Sequence, residues 1–158
     1  MTDHVLESTR ELVGDSLEEL NAAIEGLPIE ALNWRPTDDA NSVAVIATHA
    51  LGASRVWLRM AMGLPLPERD LDAEFRASAA DADEFGRFVQ RMSDDCIEAL
   101  QSADEVDWAS MRQTQGRGGD APPEVAAAYA LIHATEHLRR HVDQVTLMRQ
   151  LWLATGAM

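Results

Sequence analysis

Residues 122–153 read PPEVAAAYALIHATEHLRRHVDQVTLMRQLWL. Two prolines open the stretch, no glycine or proline interrupts it, and Gly156 follows it. A missing N–H costs nothing in a first helical turn, so this punctuation predicts one long helix from Pro122 and Pro123 to about Leu153. Its apolar residues, among them Val125, Ala128, Tyr129, Ile132, Val145 and Met148, supply a face to bury.

Three further helices follow from the same signals. Residues 4–25 place Val5, Leu6, Leu12, Val13, Leu17, Leu20, Ala23 and Ile24 at helical spacing before Gly26 and Pro28 stop them. After the connection LPIEALNWRPTDDAN, Asn41 or Ser42 caps a second helix that ends at Gly63, with Pro65 and Pro67 beyond. A third covers roughly residues 78–101. No segment alternates as a strand would, so no sheet is expected. The reading is all-α: one domain over residues 1–158, a four-helix bundle whose loops after the second and third helices are long enough to be crossovers.

The chain carries 13 arginines, no lysine and 27 acidic residues, a net charge of −14. Such a surface repels phosphate backbones and anionic headgroups, which argues against nucleic-acid and membrane partners. No apolar run is long enough to cross a bilayer, and the start MTDHVLESTRELV does not resemble a secretory signal, so a cytoplasmic protein is expected. The absence of lysine removes Schiff-base chemistry. Cys96, the only cysteine, falls in the apolar pattern Phe85, Phe88, Val89, Met92, Leu100 and reads as core. GRGG at 116–119 has no strand, lysine or hydroxyl of a phosphate loop around it and reads as a connector.

Of five histidines, three stand at 133, 137 and 141. A step of four returns a helical side chain almost to the same side, with Cβ atoms about 5–6 Å apart, so either neighbouring pair can chelate one ion. His133 and His141 lie about 12 Å apart along the axis and cannot share it. A metal site needs a third ligand from a facing helix, and His49, among Val45, Ile46, Leu51 and Val56, is the candidate; Gly52 and Ala53 leave space beside it. If the two helices are antiparallel His137 and His141 lie nearest its level, and if parallel the preference passes towards His133. His4 reads as an N-terminal, solvated residue. Gln144 is placed to orient a ligand ring or touch substrate, or else to be an ordinary polar helix position, and Arg55, with Arg59 one turn on, to meet an acidic substrate or simply solvent. Trp34 and Trp57 read as core.

LNWRPTDDANSVAVIATHA at 32–50, HATEHLRRHVDQ at 133–144 and the helix order over nearly the whole chain resemble the DinB-like (YfiT-like) metal-binding four-helix bundles. The resemblance implies ligands His49, His137 and His141, with His133 lining the site. It implies an open three-histidine centre on zinc or nickel, with iron as a further possibility, and a homodimer. Some members are thiol-dependent transferases or isomerases that use bacillithiol, mycothiol or glutathione. The Arg-Gly-Gln that commonly follows the last histidine is Val142-Asp143-Gln144 here, a departure that bears on subfamily and substrate.

The expectation is therefore a divalent-metal-dependent enzyme that takes a small-molecule substrate, most readily a thiol-dependent transferase or isomerase acting on a small electrophile, with a low-molecular-weight thiol as co-substrate. A metal-dependent hydrolase is the near variant. The competing expectations are a bundle whose metal pins helices without turnover, and a metal-free interaction bundle.

Overall fold

The structure, a computed structural model, describes residues 3–114 and 124–156. Its elements are α1 (His4–Ile24), α2 (Ile29–Asn33), α3 (Val43–Ala61), α4 (Leu71–Phe75), α5 (Ala82–Gln101), β1 (Met111–Gln113), β2 (Glu124–Ala126) and α6 (Ala127–Ala154). Short polar side chains start the helices by accepting free N–H groups: Asp3 from Leu6 at 3.0 Å, Ser42 from Val45 at 3.2 Å, Asp81 from Glu84 at 2.7 Å. Gly26 and Gly63 follow α1 and α3 with φ of 72° and 70°, the left-handed turn that a side chain disfavours.

The long helices α1, α3, α5 and α6 form the bundle, with α6 packed on α3 and α1, and α5 packed on the same two. Side-chain contacts give the directions. Arg139 meets Glu19 and Arg149 meets the carbonyls of Ala23 and Glu25, so α1 and α6 run parallel. Asn21 bonds Ser93 while Arg10 bonds the carbonyls of Leu100 and Ala103, so α5 runs against α1. Trp57 faces Tyr129 and His133 while His49 faces His137 and His141, so α3 runs against α6. The chain thus travels up, down, down, up, and the step from α3 to the parallel α5 is a true crossover, which carries α4 across α3.

The core between them is made of fully buried Leu6, Leu20, Leu51, Leu58, Val89, Leu100, Leu138 and Val142 among others. Each such side chain contributes about 1.5–3 kcal/mol relative to exposure. No helix among the described residues is long and apolar enough to cross a membrane.

Two expectations are corrected here. The fold contains a small antiparallel pair, β1 with β2, in which Arg112 faces Val125. Strands of three residues are too short to show an alternation in sequence. The last helix also opens later than its prolines suggest, at Ala127, and Ala126 offers no side-chain cap. The hairpin side of the chain substitutes for that cap: the N–H groups of Ala127 and Ala128 donate to the carbonyls of Ser110 and Trp108 at 2.9 and 3.0 Å. Pro122, Pro123 and the GRGG stretch lie outside the described residues.

Candidate metal centre

Antiparallel packing of α3 on α6 brings His49 level with the later of the two possible pairs. Its ring centroid lies 5.2 Å from that of His137 and 5.1 Å from that of His141. One ring nitrogen from each of the three lies within 4.8 Å of the others, the only cluster of three or more metal-capable side chains among the described residues. All three are half-buried, at the edge of the core and in reach of solvent.

The donor chemistry fits a divalent ion. His141 Nδ1 lies 2.6 Å from Gln144 Oε1, a carbonyl oxygen that only accepts, so Nδ1 carries the proton and Nε2 keeps its lone pair. That Nε2 stands 3.3 Å from His137 Nε2. Two nitrogens bonded to one tetrahedral zinc at about 2.0–2.1 Å are held about 3.3–3.4 Å apart, the same spacing. His137 Nδ1 is buried with no hydrogen-bond partner, which leaves its Nε2 as the nitrogen with which that ring can offset its burial. Burial, with the nearby His141, His49, His133 and Arg69, pushes the His137 pKa down to about 3. Burial also holds His141 below the usual histidine range, against the Gln144 bond that raises it. These rings stay neutral, as metal ligands must.

The crossover supplies what the sequence did not reveal. Glu74 Oε2 lies 3.1 Å from His49 Nδ1, and Arg69 grips the same carboxylate at both oxygens, Nε to Oε1 at 2.7 Å and a terminal nitrogen to Oε2 at 2.8 Å. Burial by itself raises the Glu74 pKa; the hydrogen bonds from His49 and Arg69 and the charge of Arg69 outweigh it and hold the group below the usual carboxylate range. Phe75, half exposed, leans over His49 with ring centroids 4.8 Å apart. The space expected beside Gly52 is taken by the Glu74 carboxylate. Gly52 was the one sequence signal for this contact, a missing side chain three residues after His49.

The other candidates fall as follows. His133 stays out of the cluster and packs between Trp57 and Tyr129, at 4.3 and 5.9 Å between centroids, with His137 at 5.7 Å. Burial lowers its pKa too. Trp57 thus belongs to an aromatic row beside the site, whereas Trp34 packs edge-on against Trp152. Arg55 turns from the histidines to α5, where its Nε meets Asp95 at 3.0 Å. With Arg69 and Glu74 it lines a cavity of about 280 Å³. Arg59 donates to the Pro65 carbonyl. His4 is exposed and pairs with Glu7. Cys96 is fully buried and its thiol is pushed up to about 12, so it supplies no thiolate.

Comparison with known proteins agrees with this architecture. A crystal structure of a conserved protein from Enterococcus faecalis superposes with a TM-score of 0.72 at 14% identity, covering 98% of this chain and 99% of that one. A DinB-like protein from Bacillus cereus superposes with a TM-score of 0.69 at 18% identity, covering 92% and 91%. At such identities the likeness is one of fold. No curated protein sequence matches the chain. The sequence model of the DinB superfamily matches residues 14–145, most of the chain and all three clustered histidines; the chain belongs to the DinB superfamily.

Proposed function

We propose that the protein is a divalent-metal-dependent enzyme in which His49, His137 and His141 hold zinc or nickel and a small-molecule substrate completes the shell. The observation that carries this reading is the convergence of three imidazoles in a cluster that no fourth metal-capable side chain joins among the described residues, the neighbouring Glu74 carboxylate being taken up by Arg69 and by His49 Nδ1. A closed structural zinc site normally takes four protein ligands, whereas three with a vacant position is the catalytic arrangement. A divalent ion held there supplies Lewis acidity, which favours the anionic form of a water or thiol near neutral pH.

The chain's own groups limit the chemistry further. It has no lysine, and its one cysteine is buried with its thiol pushed up to about 12, so the chain supplies neither an amine nor a thiolate nucleophile of its own from these residues. That supports thiol-dependent transfer or isomerisation, in which a low-molecular-weight thiol attacks a small electrophile. Phe75, Tyr129 and Trp57 offer an apolar flank on which such an electrophile can rest, Phe75 and Tyr129 being about half exposed. His133, in the same row, lines the approach, and Gln144 holds His141 from behind. We place the protein in the cytoplasm as a homodimer, with exposed Ile132, Leu147 and Leu151 of α6 as apolar surface for a second copy.

The test is elemental analysis of purified protein, followed by a panel of low-molecular-weight thiols and electrophiles scored with and without chelator. Turnover that requires both metal and thiol is the expected result. Turnover that requires metal but not thiol, with water consumed, would make the protein a hydrolase. Unchanged turnover after complete metal removal would overturn the metal-dependent reading.

A further inference from the structure

The crossover between α3 and α5 has a direct hold on the candidate metal centre. Glu74 is almost fully buried, its side chain 8% exposed, although a buried carboxylate is costly unless it is paired and hydrogen-bonded. Arg69 satisfies both oxygens in a two-pronged contact, so the ion pair is complete without any further partner. Yet Oε2 also meets His49 Nδ1. An ionised carboxylate only accepts, so this 3.1 Å contact, closer than the 3.5 Å approach of an Arg69 terminal nitrogen to the same Nδ1, favours the proton on Nδ1 and leaves Nε2 as the lone pair that the His49 ring can offer.

The backbone makes room for this contact at one residue. A Cβ built on Gly52 would fall 2.2 Å from Glu74 Oε1 and 2.9 Å from its carboxyl carbon, so any side chain there displaces the carboxylate. Gly52 lies three residues beyond His49 on the same helix, which makes it the floor on which Glu74 sits beside the imidazole. A salt bridge needed only to tie the crossover down has no reason to be seated against that ring.

We propose that Glu74, clamped by Arg69 and seated on Gly52, is a positioning residue that fixes the tautomer and orientation of His49 for metal binding. The inference rests on the three-histidine reading and adds to it a determinant of affinity carried by the crossover. Groups that accept from the outer N–H of a metal-bound histidine typically account for 10–100-fold in affinity.

The test measures zinc affinity of the full chain by competition with a chromophoric chelator, and the His49 tautomer by nitrogen NMR, in wild type and four variants. Gly52→Ala keeps the carboxylate but pushes it off its seat, and Glu74→Gln keeps an acceptor but removes its charge. The double variant Arg69→Met with Glu74→Leu removes both charges and leaves neither buried alone. His49→Ala is the control. Gly52→Ala and the double variant are expected to bind zinc about 10–100-fold more weakly and to show a mixture of His49 tautomers, with Glu74→Gln intermediate. Folded Gly52→Ala and double variants with wild-type affinity and an unchanged Nδ1–H tautomer would overturn the proposal while leaving the metal site standing. Zinc ignored by wild type, or bound equally by His49→Ala, would overturn the three-histidine site itself.

Discussion

His137 Nε2 and His141 Nε2 face each other at 3.3 Å across one turn of α6. Because both belong to one helix, this two-nitrogen chelate survives when the third donor is removed from α3. His49→Ala is therefore expected to retain zinc weakly, and His137→Ala to lose more, since it breaks the chelate and leaves His141 and His49 on separate helices. Sharing the free energy of a typical protein zinc site among its ligands gives about 3 kcal/mol per donor, or on the order of 100-fold for the first loss. Isothermal titration with zinc of the two variants checks the order of the effects; equal losses would argue against the helical pair as the primary grip.

Gln144 holds His141 from the side opposite His137, at 2.6 Å from Nδ1. It is exposed, so its removal costs the fold little. Gln144→Leu is expected to weaken zinc binding about 10-fold with an unchanged thermal midpoint in the metal-free protein. Gln144→Glu, which keeps an acceptor and adds charge, is expected to bind at least as well as wild type. The pair of measurements separates ring orientation from a general loss of polarity.

Much of this site was legible in the sequence, and what was not has physical reasons. His133, His137 and His141 declare their common side of a helix through spacing alone, and Ser42 marks where α3 begins, whereas α5 opens at Ala82 behind its cap Asp81, later than the start near residue 78 expected from the sequence. Choosing between the two histidine pairs needed the direction of α3 against α6, which only contacts such as Trp57 with His133 reveal. Glu74 and Arg69 were hidden because they sit in the crossover, where no periodicity marks a side, and because Glu74 is 25 positions away from the ring it touches. The hairpin was hidden for want of length. The turn just before β1 meets the start of α6, where the carbonyls of Ser110 and Trp108 accept from the first N–H groups of the helix.

Asp3 ties the start of α1 to the loop after α5. One carboxylate oxygen accepts from Leu6 N–H at 3.0 Å, and the other from Val106 N–H at 3.3 Å and Trp108 Nε1–H at 2.9 Å. Asp3→Ala removes a helix cap and both loop contacts, and is expected to cost about 1–2 kcal/mol. The pH dependence has a definite sign. Burial raises the Asp3 pKa, but the hydrogen bonds from Leu6, Val106, Trp108 and Val5 outweigh it, so the folded value lies below 3.8. The contribution is thus present above about pH 3.8 and lost as the pH falls through the lower folded value. Thermal melts of wild type and Asp3→Asn are expected to converge as the pH is lowered through that window.

The histidine cluster gives the metal-free protein a second acid sensitivity, in a higher window. His137 titrates near 6.5 when unfolded and is pushed down to about 3 when folded, chiefly by burial and then by the neighbouring rings. Between those values the unfolded chain binds a proton that the folded chain refuses, so stability rises with pH there. The neutral ring's contribution is full above about pH 6.5 and is lost progressively as the pH falls towards 3. His137→Gln cannot take up that proton, so urea unfolding of the chelator-treated variant is expected to show a flatter dependence on pH across this range than wild type. His133→Gln, at a ring that burial shifts in the same direction from outside the cluster, is expected to flatten it less. Parallel curves for wild type and His137→Gln would mean that the ring at 137 is protonated in the folded protein, and that its lone pair is not held ready for an ion.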